Sequence, residues 1–178
     1  VGGVTSINKD LKDIVDKDFQ RTTWIMIIGL FAVLLLITRS PILAGASILS
    51  LVATCYTAIS LIRTVVAATT GAEGLSWSVP FFSFIIIMSV GVDYIVFLAL
   101  RYLEYKDLPP KEAIINASGK IGGIVQAAAV ILIGTFSSIY PSGILTLMQI
   151  ASVTIVAVVI LNVVVLPLVL PAVISMKK

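Results

Sequence analysis

Five apolar runs, each close to the length that crosses a bilayer, constrain this chain more than any other feature. A hydrocarbon core about 30 Å thick needs about 20 helical residues, with about 17 as the lower limit. The runs cover residues 22–38, 42–62, 79–100, 121–139 and 144–166. Breakers or charges bound each one. Arg39-Ser40-Pro41 stops the first, and Arg63 can snorkel at the end of the second. A polar, glycine-containing loop, 69–78, precedes the third, and a charged loop, 101–120, follows it. Tyr140-Pro141-Ser142-Gly143 reads as a tight turn between the fourth and fifth, and Pro167 and Pro171 are expected to end the last. Composition agrees: 59% of residues are hydrophobic, 12% are charged and the mean hydropathy is +1.14. Soluble domains carry about 25% charged residues. The expected class is an all-α membrane protein with five transmembrane helices.

The first 21 residues are polar, and Val1 is not a start methionine. The chain is therefore expected to be part of a longer protein. Val1-Gly2-Gly3-Val4-Thr5 reads as a strand end and a turn. Ile7, Leu11, Ile14, Val15 and Phe19 then recur at helical spacing, with Lys9/Asp13 and Asp13/Lys17 as opposite charges four apart. This pattern predicts a short amphipathic helix at the membrane surface, ahead of a five-helix domain over 22–178. In the loop 101–120, Pro109-Pro110-Lys111-Glu112 predicts a second short surface helix.

Five spans place the ends on opposite sides. One side collects Arg39, Arg101, Lys106, Lys111, Lys120, Lys177 and Lys178. The other has Lys9, Lys12, Lys17, Arg21 and Arg63. The excess of basic residues favours a cytoplasmic C-terminus in a multi-pass protein of the cell membrane.

Several classes are disfavoured. There is no histidine, and the single cysteine, Cys55, lies in an apolar run. No nucleotide-binding loop, metal-ligand cluster or nucleophile elbow is visible, so neither an enzyme nor a bound cofactor or metal is expected. The net charge of +3 reads as membrane flanking, not as a nucleic-acid surface.

Asp93 is the residue that carries chemistry. It is the only acid within the five runs and lies about 12 Å from Arg101 along a helix, at about 1.5 Å per residue. A carboxylate at such depth costs about 2.5–3.5 kcal/mol on insertion scales, so it should face a bundle interior. An acid exposed alternately to the two sides could carry protons; a protonated carboxyl bracing a neighbouring helix is the other reading. Tyr94 follows it and could share one wide polar face, or simply pack. Ser89 lies one turn before Asp93. Gly119, Gly123 and Ala127 form a small-residue stripe suited to close helix packing. Gln126 and Asn162 are polar within spans and should each find a partner.

Gly91-Val92-Asp93-Tyr94, then Phe97-Leu98, Arg101 and Glu104, resembles the signature of the mycobacterial membrane protein large (MmpL) family, within the resistance-nodulation-division superfamily. The resemblance continues through Ala113, Ala117, Gly122-Gly123, Thr135-Phe136, Pro141-Ser142-Gly143 and Pro167, and covers essentially the whole chain. It implies that residues 1–21 leave an extracytoplasmic porter domain. It also implies that the five spans are helices eight to twelve of a twelve-helix bundle, with Gly91 among the helix-packing positions. Asp93 and Tyr94 would form a proton relay with an equivalent Asp-Tyr helix in the other half. Family members often carry Thr-Ser-Ala-Gly after the paired glycines; this chain has Gln126-Ala127-Ala128-Ala129, so Gln126, and Ser89 on the neighbouring helix, are the candidates for relay support.

The resemblance thus implies a proton-motive-force-driven exporter of lipidic or amphiphilic substrates. It would use proton coupling instead of a cofactor. Its expected partners are the other half, the porter domains, membrane lipids and, in a homo-oligomer, further copies; no nucleic acid is expected. A non-transporting scaffold or accessory subunit is an alternative, as is a protein-translocation or sterol-sensing relative of the same superfamily.

Overall fold

The computed structural model describes residues 4–70, 74–105, 107–169 and 171–172. Its elements are α1 (Val4–Thr38), α2 (Pro41–Thr70), α3 (Val79–Glu104), α4 (Pro110–Ser137), a 3₁₀ turn (Tyr140–Ser142) and α5 (Leu145–Ile160). From Leu161 to Val169, α5 continues as a π-helix. Among the described residues, five helices are long and apolar enough to cross a membrane.

The breaks fall where local chemistry demands them. Between α1 and α2, Arg39 takes a left-handed φ of 49°, and Pro41 opens the next helix. Thr38 Oγ1 donates to the Leu34 carbonyl at 2.7 Å, turning a polar side chain back onto its own helix end. Pro110 opens α4, where its missing N–H would have no partner in any case. Gly143 at φ 68° completes the turn before α5, as the Tyr140-Pro141-Ser142-Gly143 pattern predicts.

Several boundaries differ from the sequence expectation. Val4 and Thr5 belong to α1 and not to a strand end; Val1–Gly3 lie outside the described residues. The expected surface helix and first span form one helix of 35 residues. Between residues 4 and 38 there is no proline and a single glycine, Gly29, so nothing ends the helix at the membrane edge. The second helix likewise runs past Arg63 to Thr70. The short helix expected at Pro110 is continuous with the fourth span, because the lone strong breaker in that stretch is the proline that starts it. Pro167 does not end the last helix. Its ring would clash with the carbonyl four residues back in an α-helix, and the chain there has the wider π form.

Helix α3 is the hub and touches each of the other four. Around it α4 packs on α5, α5 on α2 and α2 on α1. The innermost side chains come from α1, α2, α3 and α5 with its π extension: Leu34, Leu51, Ile87, Met88, Val153, Val158 and Leu161. At Gly91, α3 and α2 approach so closely that a Cβ would fall 2.2 Å from Leu51 Cδ2. At one end of the bundle the Phe19 ring meets Phe81 and Phe84 edge-on, with centroids 5.8 Å apart in both pairs.

Candidate functional site

The side chains of Asp93 and Tyr94 part company. Consecutive residues on a helix point about 100° apart. Here that angle takes Asp93 to the exposed face of α3 and Tyr94 into the bundle, where it is 5% exposed. The two therefore do not share one open polar face.

Asp93 belongs to an uncovered stripe running the length of α3. Phe82, Ser89, Asp93, Phe97, Leu100 and Glu104 follow at spacings of seven, four, four, three and four, all exposed. Phe82, Phe97 and Leu100 keep about half their surface free, so the carboxyl sits in a band of aromatic and aliphatic groups. Asp93 makes no hydrogen bond or ion pair among the described residues. Ser89 lies one turn away on the same stripe. At the helix end, Arg101 pairs with Glu104 through Nη1 and Oε2, one turn apart.

Tyr94 packs on Ile121 and Val125 of α4, with Leu166 of the π-helix beside them. Its hydroxyl is buried, has no hydrogen-bond partner among the described residues, and lies next to Asn162. The Asn162 Nδ2 donates to the Val158 carbonyl at 3.1 Å, one turn back. Asn162 also lines a cavity of about 110 Å³ between α3, α4 and the π-helix. Its polar lining includes Ser118 and Gln126, and the Ser118 Oγ is buried without a hydrogen-bond partner among the described residues.

The remaining sequence candidates divide clearly. Gly91 is where α3 meets Leu51. Gly119, Gly123 and Ala127 sit on an exposed face of α4, and a Cβ at Gly119 or Gly123 would meet no atom within 4 Å. That stripe packs on no helix among the described residues. Gln126 is exposed and stands at the cavity rim, away from the Asp93 stripe.

Two features escape a sequence reading. Ser118 carries no signal as a serine among glycines and alanines at the start of a span. Gln149 is 4% exposed, and its Oε1 accepts from the Ser76 N–H at 2.9 Å, tying the turn before α3 to α5. Ser118 and Asn162 on the cavity wall are 44 positions apart, and Ser76 and Gln149 are 73 apart, so neither feature has a local pattern.

The pattern of a known sequence family, the MMPL family, matches residues 1–177. The chain belongs to the MMPL family. YdgH of Bacillus subtilis is 46% identical over 174 residues, covering 98% of this chain and 20% of that protein. The apo-petrobactin exporter of Bacillus anthracis is 26% identical over 174 residues, covering 97% of this chain and 23% of its own length. The sulfolipid-1 exporter MmpL8 of Mycobacterium tuberculosis is 27% identical over 132 residues, covering 74% of this chain and 12% of its own length. No solved structure matches the chain. This MMPL member spans about a fifth of the length of the curated relatives it matches. It is a multi-pass membrane protein.

Proposed function

We propose that this chain is the C-terminal transmembrane half of a proton-motive-force-driven exporter of the resistance-nodulation-division type, with Asp93 as proton carrier and Tyr94 as its relay partner. The observation that carries the reading is the place of Asp93. An unpaired carboxyl in mid-span, set in an apolar stripe, cannot face lipid cheaply. A second helix must cover that stripe, and a matching Asp-Tyr helix from the other half of the protein fits it. Proton binding at Asp93 from one side and release to the other would then rock the two halves and move the porter domains. The names of two relatives, exporters of apo-petrobactin and of sulfolipid-1, support outward transport, and the second supports a lipidic cargo. On this reading the protein lies in the cell membrane with its C-terminus in the cytoplasm, and the chain by itself is insufficient for transport.

Asn is nearly isosteric with Asp and keeps hydrogen-bonding capacity, but it cannot titrate. Asp93→Asn in the full-length protein should insert normally and lose export by at least about 100-fold, read as growth under amphiphile challenge at matched membrane levels. Tyr94→Phe should be milder if the hydroxyl only orients the carboxyl, and as severe if it passes the proton. Wild-type export by Asp93→Asn would remove Asp93 as the proton carrier and leave only the fold.

A further inference from the structure

A cation at the start of the fourth span takes no part in the relay. Among the described residues Lys120 makes no ion pair. Its Nζ stands instead over the Tyr105 ring, 5.8 Å from the centroid, where the ring face attracts a cation. That contact holds the ammonium at the seam between the end of α3 and the first turns of α4. Side chains on a helix lean towards its N-terminus, so Lys120 reaches towards the α3–α4 loop from the edge of the apolar run that begins at Ile121. Asn116 is exposed one turn earlier on the same face.

Beyond Lys120 this face runs into the membrane. Gly123, Ala127 and Val130 follow, all exposed among the described residues, and a Cβ at Gly123 would meet no atom within 4 Å. Ile124, 64% exposed, borders this shallow groove. From Lys120 to Val130 is about 15 Å at about 1.5 Å per residue, the depth of one leaflet of a core about 30 Å thick. A cation and an amide at the membrane edge, followed by an apolar groove one leaflet deep, have the profile of a phospholipid. Charge selects which kind. The membrane side of Lys120 has seven basic residues against three acidic ones, Glu104, Asp107 and Glu112, whereas the other side has five of each. Basic sites between helices at a membrane face hold anionic headgroups. A covering helix would have to bury the ammonium without an anion, a cost that a headgroup phosphate removes by pairing with it.

We propose that this face of α4 binds one anionic phospholipid from the leaflet on the α3–α4 loop side. Its phosphate pairs with Lys120, a headgroup oxygen accepts from the Asn116 amide, and one acyl chain lies along Gly123 and Ala127. Tyr105 is a positioning residue that keeps the ammonium at the seam. Bound there, the lipid fastens the start of α4 to the end of α3, since both helices hold the cation it pairs with. The site stands apart from the relay: Asp93 lies on a different helix and contributes nothing to it.

The test uses the full-length protein with its cysteines, Cys55 included, replaced by serine, and a bimane fluorophore attached to Ile124→Cys at the groove border. It is reconstituted in phosphatidylcholine vesicles with rising fractions of either phosphatidylglycerol or phosphatidylcholine that carries a doxyl quencher on one acyl chain. Half-maximal quenching is expected at an about fivefold lower fraction of the anionic lipid, the factor that one lysine near an anionic surface supplies. Lys120→Gln should bring the two curves together, Lys120→Arg should keep them apart, and Tyr105→Leu should fall between. Equal quenching by both lipids in the parent protein would overturn the proposal. So would a preference that Lys120→Gln leaves intact, which would be the general field of the basic loop and no site. If another helix of the full-length protein covers the face, neither lipid quenches, and the proposal falls as well. Gly123→Leu fills the groove with Lys120 in place and should also remove the preference; an unchanged preference would show attraction without a groove. Should Gly123→Leu fail to insert, Gly123→Ala and Gly123→Val should weaken the preference in order of size, and no grading would count against the groove. Asp93→Asn should keep the preference whatever it does to export, so the lipid site and the relay succeed or fail separately.

Discussion

Replacing Gly91 by alanine probes the closest helix contact in the bundle. The new Cβ would lie 2.2 Å from Leu51 Cδ2, 3.4 Å from Leu51 Cγ and 3.5 Å from Leu161 Cδ1. Carbon atoms pack best at about 3.5–4.0 Å, so one atom must move by more than an ångström. Leu51 and Leu161 are 0% and 2% exposed, so the shift has to be taken up by the end of a leucine packed inside the bundle. Overpacking of this kind costs about 1–3 kcal/mol. The intrinsic helix gain from glycine to alanine, about 1 kcal/mol in water, offsets part of it. A net loss of about 0–2 kcal/mol is expected, or up to about a 30-fold shift in the folded population, which leaves Gly91→Ala about 1–3 kcal/mol below a glycine-to-alanine change that meets nothing. Leu51→Ala alone leaves a void and should cost about 2–5 kcal/mol. In the double variant the alanine methyl at 91 enters that void. The pair should therefore cost about 1–2 kcal/mol less than the sum of the singles. Gly45→Ala on α2, whose Cβ meets nothing within 4 Å, is the control and should be neutral or mildly stabilising. The assay is unfolding of the purified full-length protein by sodium dodecyl sulfate in mixed micelles. Gly91→Ala indistinguishable from Gly45→Ala, with strictly additive singles, would refute the close-approach argument.

Other expectations address anchoring, orientation and sufficiency. Gln149→Leu leaves the Ser76 N–H without its acceptor and should cost about 1–3 kcal/mol in the same assay, with easier acrylamide quenching of the half-exposed Trp77; an unchanged midpoint would show the turn is held by other contacts. Cysteines at Asp107 and at Lys12, in a background lacking Cys55, should label from opposite sides. Reaction of Asp107→Cys with an impermeant maleimide in intact cells would reverse the proposed topology. The 178-residue segment reconstituted by itself should show no vectorial, pH-driven efflux, because the stripe around Asp93 lacks its covering helix; efflux by the segment would end that claim.

The sequence alone determined that this chain is a set of five membrane helices, that Asp93 is the sole acid within their apolar runs, and which family signature surrounds it. The physical reason is that the bilayer reads length and polarity directly: an apolar run of about 20 residues and a buried charge are local properties of a string. Helix ends were legible where a proline or glycine sits in the right place, as at Pro41, Pro110 and Gly143. They were not legible where continuity depends on the absence of a breaker, as through residue 21, Arg63 and Lys120, or where the backbone widens around Pro167. Only the tertiary structure decided how α3 is rotated against its neighbours. Periodicity in a helix that is apolar nearly all round does not say which face is covered, because lipid and protein interior are equally apolar. That rotation turns Asp93 outward and Tyr94 inward, leaves the Gly119–Gly123 face open, and brings Ser118, Gln126 and Asn162 round one cavity. Those are long-range juxtapositions fixed by packing at Gly91, Leu51 and Leu161, and no local pattern in the chain encodes them.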